Sequence, residues 1–115
     1  MCIRDRFETA NVVEEIAHDS IRMLLDTGAL RLNKESPALI IKKYESLIGH
    51  IHASEPNLLP IGDGNTNHTL INSALECYLP NELVTIEMIA TKDENHESSI
   101  QRALTCAIQS YRKRK

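Results

Sequence analysis

Between Glu8 and Tyr111 the spacing of apolar residues switches repeatedly from a helical to a strand period, and that alternation restricts the fold more than any single motif. Val12, Val13, Ile16 and Ala17, with Ala10, recur at helical spacing and predict an amphipathic helix from Glu8 to His18. Asp19-Ser20 ends it, and Ile21 to Leu25 reads as a short strand closed by the turn Asp26-Thr27-Gly28. Ser36-Pro37 offers an N-cap and a proline at the first helical position for a second helix, which Gly49 can terminate. A strand through His50 and His52 follows, then a loop from Ser54 to Thr66 that is too long for a mere connector. Thr66 or Asn67 caps a third helix to about Cys77, and Leu83 to Met88 reads as a third strand. The last helix opens at Ser98 or Ser99, with Ile100, Ala103, Leu104, Ala107, Ile108 and Tyr111 on one stripe. Strands separated by helices imply right-handed crossovers and a parallel sheet.

The strand period of two then assigns faces. His50 and His52 share one side, with Ile51 and Ala53 on the other; Thr85 and Glu87 lie opposite Val84, Ile86 and Met88; Asp26 lies opposite Met23 and Leu25. Each strand therefore carries an ionisable group near its C-terminal end, the end at which parallel α/β folds bind ligands. In a β/α barrel Asp26, His52 and Glu87 would converge in the mouth, where mixed oxygen and imidazole donors suit Mn²⁺, Mg²⁺, Co²⁺ or Zn²⁺. Plainer readings stand beside this one: an Asp before Thr-Gly is a common turn former, a strand Glu can face solvent, and a lone His is usually a hydrogen-bonded core residue.

Composition excludes several other classes. The chain has 115 residues, 42% apolar and 25% charged, which fits one small globular domain. A net charge of −3 and 3% aromatic residues leave little material for a nucleic-acid groove. The Arg112-Lys113-Arg114-Lys115 tail reads as a solvated helix end rather than a binding patch. No apolar run approaches the roughly 20 residues of a membrane span. Cys2, Cys77 and Cys106 are odd in number and widely spaced, which argues against a disulfide framework or a zinc ribbon and fits a reducing, cytoplasmic setting.

The run Met1-Cys2-Ile3-Arg4-Asp5-Arg6 resembles the in-frame translation of a transposon adapter used in sequencing libraries. On that expectation residues 1–6 are an artefactual scar excluded from the fold, the natural, mildly acidic part spans 7–115, and the gene was cut at Phe7.

Three motifs in order carry a wider resemblance: Leu25-Asp26-Thr27-Gly28-Ala29-Leu30, then Ile48-Gly49-His50-Ile51-His52-Ala53-Ser54-Glu55-Pro56-Asn57-Leu58, then Val84-Thr85-Ile86-Glu87-Met88. Together they resemble the C-terminal part of the sugar phosphate isomerase/epimerase family, the xylose-isomerase-like TIM barrels. The resemblance covers essentially everything after the first six residues. It implies an α/β fold forming the C-terminal part of a (β/α)8 barrel, about three strands and four helices, with the motif strands as the sixth to eighth.

The resemblance also implies a divalent metal, commonly Mn²⁺, with Asp26, His52 and Glu87 as the last three of four ligands; the first, a Glu, would lie upstream of Glu8. The chemistry it implies is proton abstraction next to a carbonyl through an enediolate, with Glu87 both ligand and acid/base group. Many relatives carry a His where this chain has Ala29 and an Arg where it has Leu58, both touching substrate. His50, Glu55 and His68 are the candidate replacements, although His68 also reads as a solvent-exposed residue near a helix start; His18 and His96 read as surface residues. The implied partners are a small sugar or hydroxy-ketone substrate and, for the parent enzyme, further copies in a homo-oligomer, with no nucleic acid and no membrane. An endonuclease-IV-like nuclease is the alternative on a related barrel, disfavoured by the acidic charge and by Ala29. The other alternative is a non-catalytic fragment, because three strands leave sheet edges unpaired and a barrel takes about 250 residues.

Overall fold

A computed structural model of the chain describes residues 5–112. Residues 1–4, most of the adapter-like run, and 113–115, most of the basic tail, lie outside them. The element order is α1 (Arg6–Ile16), β1 (Met23–Asp26), α2 (Thr27–Leu32), α3 (Pro37–Tyr44), β2 (Ile48–Ala53), a 3-10 turn (Pro56–Leu58), α4 (His68–Tyr78), β3 (Val84–Ile86) and α5 (His96–Tyr111).

The three strands form one parallel sheet in the order β1-β2-β3. Register brings Asp26 beside His52, and His52 beside Thr85. The ladder runs one step past β3, because the Glu87 amide donates to the Ala53 carbonyl at 2.9 Å. Each crossover is helical, so the architecture is three consecutive β/α units of a (β/α)8 TIM barrel, with too few strands to close it.

The two sheet faces differ, although an irregularity at the start of β2, where Met23 pairs with Ile48 but Leu24 with His50, puts Ile48 on the same buried face as Ile51 three residues on. Met23, Leu25, Ile48 and Ile51 are buried against Ala10 of α1, Leu30 of α2, Ile41 and Tyr44 of α3, and Ile71, Ala74 and Leu75 of α4. A smaller cluster joins Ala53 and Ile61 to Ala103 and Ala107 of α5. On the opposite face, which a closed barrel turns inward, Leu24 is 40% exposed and His50 and Thr85 face solvent. No helix among the described residues is long and apolar enough to cross a membrane.

Boundaries moved where a polar cap outweighs the apolar pattern. Helix α1 opens at Arg6 rather than Glu8, because the Asp5 carboxylate accepts from the Glu8 amide at 2.8 Å. Asp5 and Arg6 thus take part in the fold, and the Arg6 amide donates to Glu35 Oε1 at 2.9 Å. Asn95 caps α5 three residues before Ser98, whose amide it accepts from at 2.8 Å, so the helix opens ahead of both serines. Gly49 does not end α3: that helix stops at Tyr44, and Gly49 lies inside β2, where a Cβ would come within 2.6 Å of Arg22. The turn expected at Asp26-Thr27-Gly28 is the first turn of α2, a helix absent from the sequence reading, with Asp26 as its cap.

Candidate metal centre

Asp26 ends β1 and caps α2, and both tasks fix its carboxylate. Oδ1 accepts from the Ala29 amide at 2.6 Å, and the Ser54 hydroxyl lies 2.9 Å from both Oδ1 and Oδ2. His52 stands on the adjacent strand, its Nδ1 3.0 Å from Glu87 Oε2. Glu87 follows β3 on the same side. One ligand atom from each of Asp26, His52 and Glu87 lies within 4.8 Å of the other two, and this is the one such trio among the described residues.

That donor set fits a divalent cation. Two carboxylate oxygens and an imidazole nitrogen converge at partly exposed side chains, 22% for His52 and 44% for Glu87, so solvent or a ligand can reach the remaining positions. His50 lies on the same open face, its ring edge-on to that of His52 at 4.8 Å between centroids.

Glu55 and His68 go elsewhere. Both were expected to touch substrate, yet they are 1% and 4% exposed and lie beneath the loop after β2. Glu55 Oε1 accepts from the Gly62 amide at 3.3 Å and meets His68 Nε2 at 3.0 Å, while Oε2 accepts from the Thr66 amide at 3.2 Å. His68 Nδ1 lies 2.6 Å from the Tyr111 hydroxyl, which ties the loop to α5. Burial, followed by the nearby Glu55 charge, raises the Tyr111 phenol well above its usual range. At Gly64 a Cβ would lie 2.3 Å from Glu55 Oε2, so only glycine lets the loop wrap the carboxylate this closely. The alternative of a solvent-exposed His68 is corrected as well: the residue does open α4, but its ring is buried against Glu55. His18 and His96 are exposed, as read from the sequence.

Ser54, Thr27 and Tyr111 carry site geometry that sequence reasoning missed. Thr27 Oγ1 donates to the Ser54 carbonyl at 2.7 Å and accepts from the Ser54 amide at 2.8 Å, joining the ends of β1 and β2. The available signal was position: Ser54 is two residues after His52, and Thr27 directly follows Asp26. Tyr111 was read only as the last apolar residue of the α5 stripe.

Fold and site together define a β/α-barrel segment with a carboxylate-imidazole-carboxylate cluster at the C-terminal ends of its strands. Solved structures with the same fold include sugar epimerases. D-psicose 3-epimerase crystallised with D-fructose superposes with a TM-score of 0.74 at 19% identity, covering 92% of this chain and 43% of that one. D-psicose 3-epimerase from Clostridium cellulolyticum H10 with D-tagatose gives 0.77 at 19% identity over the same shares, 92% and 43%. Apo 3-keto-D-glucoside 4-epimerase from E. coli gives 0.73 at 14% identity, covering 88% of this chain and 40% of that one. The chain thus spans less than half the length of each. No protein-family model matches the sequence, and no curated protein does.

Proposed function

We propose that the chain forms the late part of a divalent-metal-dependent isomerase or epimerase of a small sugar or hydroxy-ketone. The observation that carries this reading is the convergence of Asp26, His52 and Glu87 at the C-terminal ends of three adjacent parallel strands. The epimerase fold of the structural neighbours supports it. Asp26, His52 and Glu87 would hold the cation, with Mn²⁺ the best match to the resemblance and Mg²⁺, Co²⁺ or Zn²⁺ compatible with the donors.

A cation held by Asp26, His52 and Glu87 would supply Lewis-acid stabilisation of the negative charge that develops on substrate oxygen. Glu87 takes the proton from the carbon next to that carbonyl, leaving the C–H electron pair in the double bond of an enediolate. His52 Nδ1 lies 3.0 Å from Glu87 Oε2, so the imidazole and the carboxylate stand side by side at the strand ends. A second carboxylic acid across the substrate inverts the carbon by delivering its own proton to the opposite face, leaving Glu87 protonated and itself ionised. If Glu87 instead gives its proton to the adjacent carbon, while a proton passes from one enediol oxygen to the other, the carbonyl is transposed. That second group would be the upstream Glu that the resemblance implies, so on this reading Asp26, His52 and Glu87 supply the metal site and one of the two acid/base carboxylates. His50 on the open face is the substrate contact we retain.

The whole enzyme tests this. Glu87→Gln should abolish Mn²⁺-dependent conversion of a ketose or inosose, and chelation should do the same to the wild type. Activity that survives both rules the reading out.

A further inference from the structure

The Asp26 carboxylate is held by a residue to which the reading above gives no task. Ser54 is fully buried, and its hydroxyl sits 2.9 Å from both Asp26 oxygens. The Gly28 amide donates to Ser54 Oγ at 3.0 Å. A serine hydroxyl has one proton, and with Oγ accepting from Gly28, that proton is left to point at Asp26. The polarity of the contact is therefore set by backbone, not by chance of rotamer.

The backbone of the serine is tied on both sides. Thr27 Oγ1 bonds both its amide and its carbonyl, at 2.8 and 2.7 Å. Space is as tight as the hydrogen bonding: a Cβ on Gly28 would lie 2.7 Å from Ser54 Oγ and 2.8 Å from the Glu55 carbonyl carbon and oxygen. Because the Ala29 amide occupies Oδ1 at 2.6 Å, Oδ2 keeps the greater free lone-pair capacity.

We infer that Ser54 is a positioning residue for the metal centre, which holds the Asp26 carboxylate so that one of its oxygens lies within 4.8 Å of ligand atoms of His52 and Glu87 and which sets the affinity and geometry of the cation. This rests on the reading of Asp26, His52 and Glu87 as metal ligands. Groups that orient a ligand without touching the metal typically govern its affinity by about 10- to 100-fold.

The test uses the 115-residue chain with Mn²⁺ or Co²⁺ alone. Free Mn²⁺ is counted by its electron paramagnetic resonance signal, and bound Co²⁺ by its visible absorption bands. The expected result is a loss of affinity of about 10- to 100-fold in Ser54→Ala, with shifted Co²⁺ bands and the same circular dichroism as wild type. Ser54→Cys, which keeps a weak donor of similar size, should fall between the two. A purely packing role would lower stability without moving the Co²⁺ bands or ordering the three proteins by donor strength. If wild type binds, Asp26→Ala does not, and Ser54→Ala binds within twofold of wild type with unchanged bands, the inference is overturned and the metal reading stands. If wild type binds neither ion, the metal reading fails and takes the inference with it.

Discussion

Two histidine-carboxylate pairs stand at the same separation in this molecule and do different things. His52 Nδ1 is 3.0 Å from Glu87 Oε2, and His68 Nε2 is 3.0 Å from Glu55 Oε1. Distance alone does not tell them apart; environment does. Glu87 is 44% exposed on an open sheet face, whereas the Glu55 side chain is fully enclosed and takes bonds from Gly62, Thr66 and His68. A carboxylate with spare lone pairs at a strand end can take a ligand, while one whose bonds are met inside the protein holds a loop in shape.

The sharpest way to break this contrast is to remove Glu55. Glu55→Ala leaves two backbone amides and the His68 ring without their acceptor, and we expect a loss of about 3–5 kcal/mol, measured by urea unfolding. An effect below about 1 kcal/mol would place Glu55 with the exposed pair. Gly28→Ala comes next, because its Cβ would meet Ser54 and the Glu55 backbone within 2.8 Å. Such overpacking should cost about 1–3 kcal/mol, read in the same unfolding experiment.

Tyr111→Phe should cost about 1 kcal/mol by leaving His68 Nδ1 unpaired, and it also changes the pH dependence. The folded phenol keeps its proton above the usual value of 10.0, at which the unfolded phenol loses it. Its contribution is therefore complete below that value and declines as pH rises through it. Wild type should lose stability faster than Tyr111→Phe between about pH 10 and pH 11, by guanidinium unfolding at fixed ionic strength. The smallest stability effect belongs to Glu87→Gln, within about 1 kcal/mol, as expected for a partly exposed pair. Its signature is functional: wild type should gain thermal stability with added Mn²⁺, and the variant should not. A variant that destabilises strongly yet still responds to Mn²⁺ would reverse the roles assigned to the two pairs.

Much of this contrast was legible in the chain. The switch between periods of 3.6 and 2 located every strand, and the strand period placed Asp26, His52 and Glu87 on one side. The loop from Ser54 to Thr66 was recognisable by length and its prolines and glycines. What escaped were effects of long-range contact. Helix α2 is only six residues long, too short for a period, and depends on the Asp26 cap and on Leu30 packing into the core. Glu55 sits three residues after His52 in a motif rich in ionisable groups, and nothing local says that its side chain turns under the loop.

Local chemistry determined the alternation of the longer helices with the strands, the parallel sheet and the common side of Asp26, His52 and Glu87, because hydrophobic period and capping act over a few neighbours. Tertiary structure alone decided which carboxylate stays open and which is enclosed. That choice depends on partners distant along the chain: Ser54 reaches back to Asp26, Gly62 and Thr66 fold over Glu55, and Tyr111 of α5 closes on His68. The burial they create separates a site that can bind a cation from one that fastens a loop.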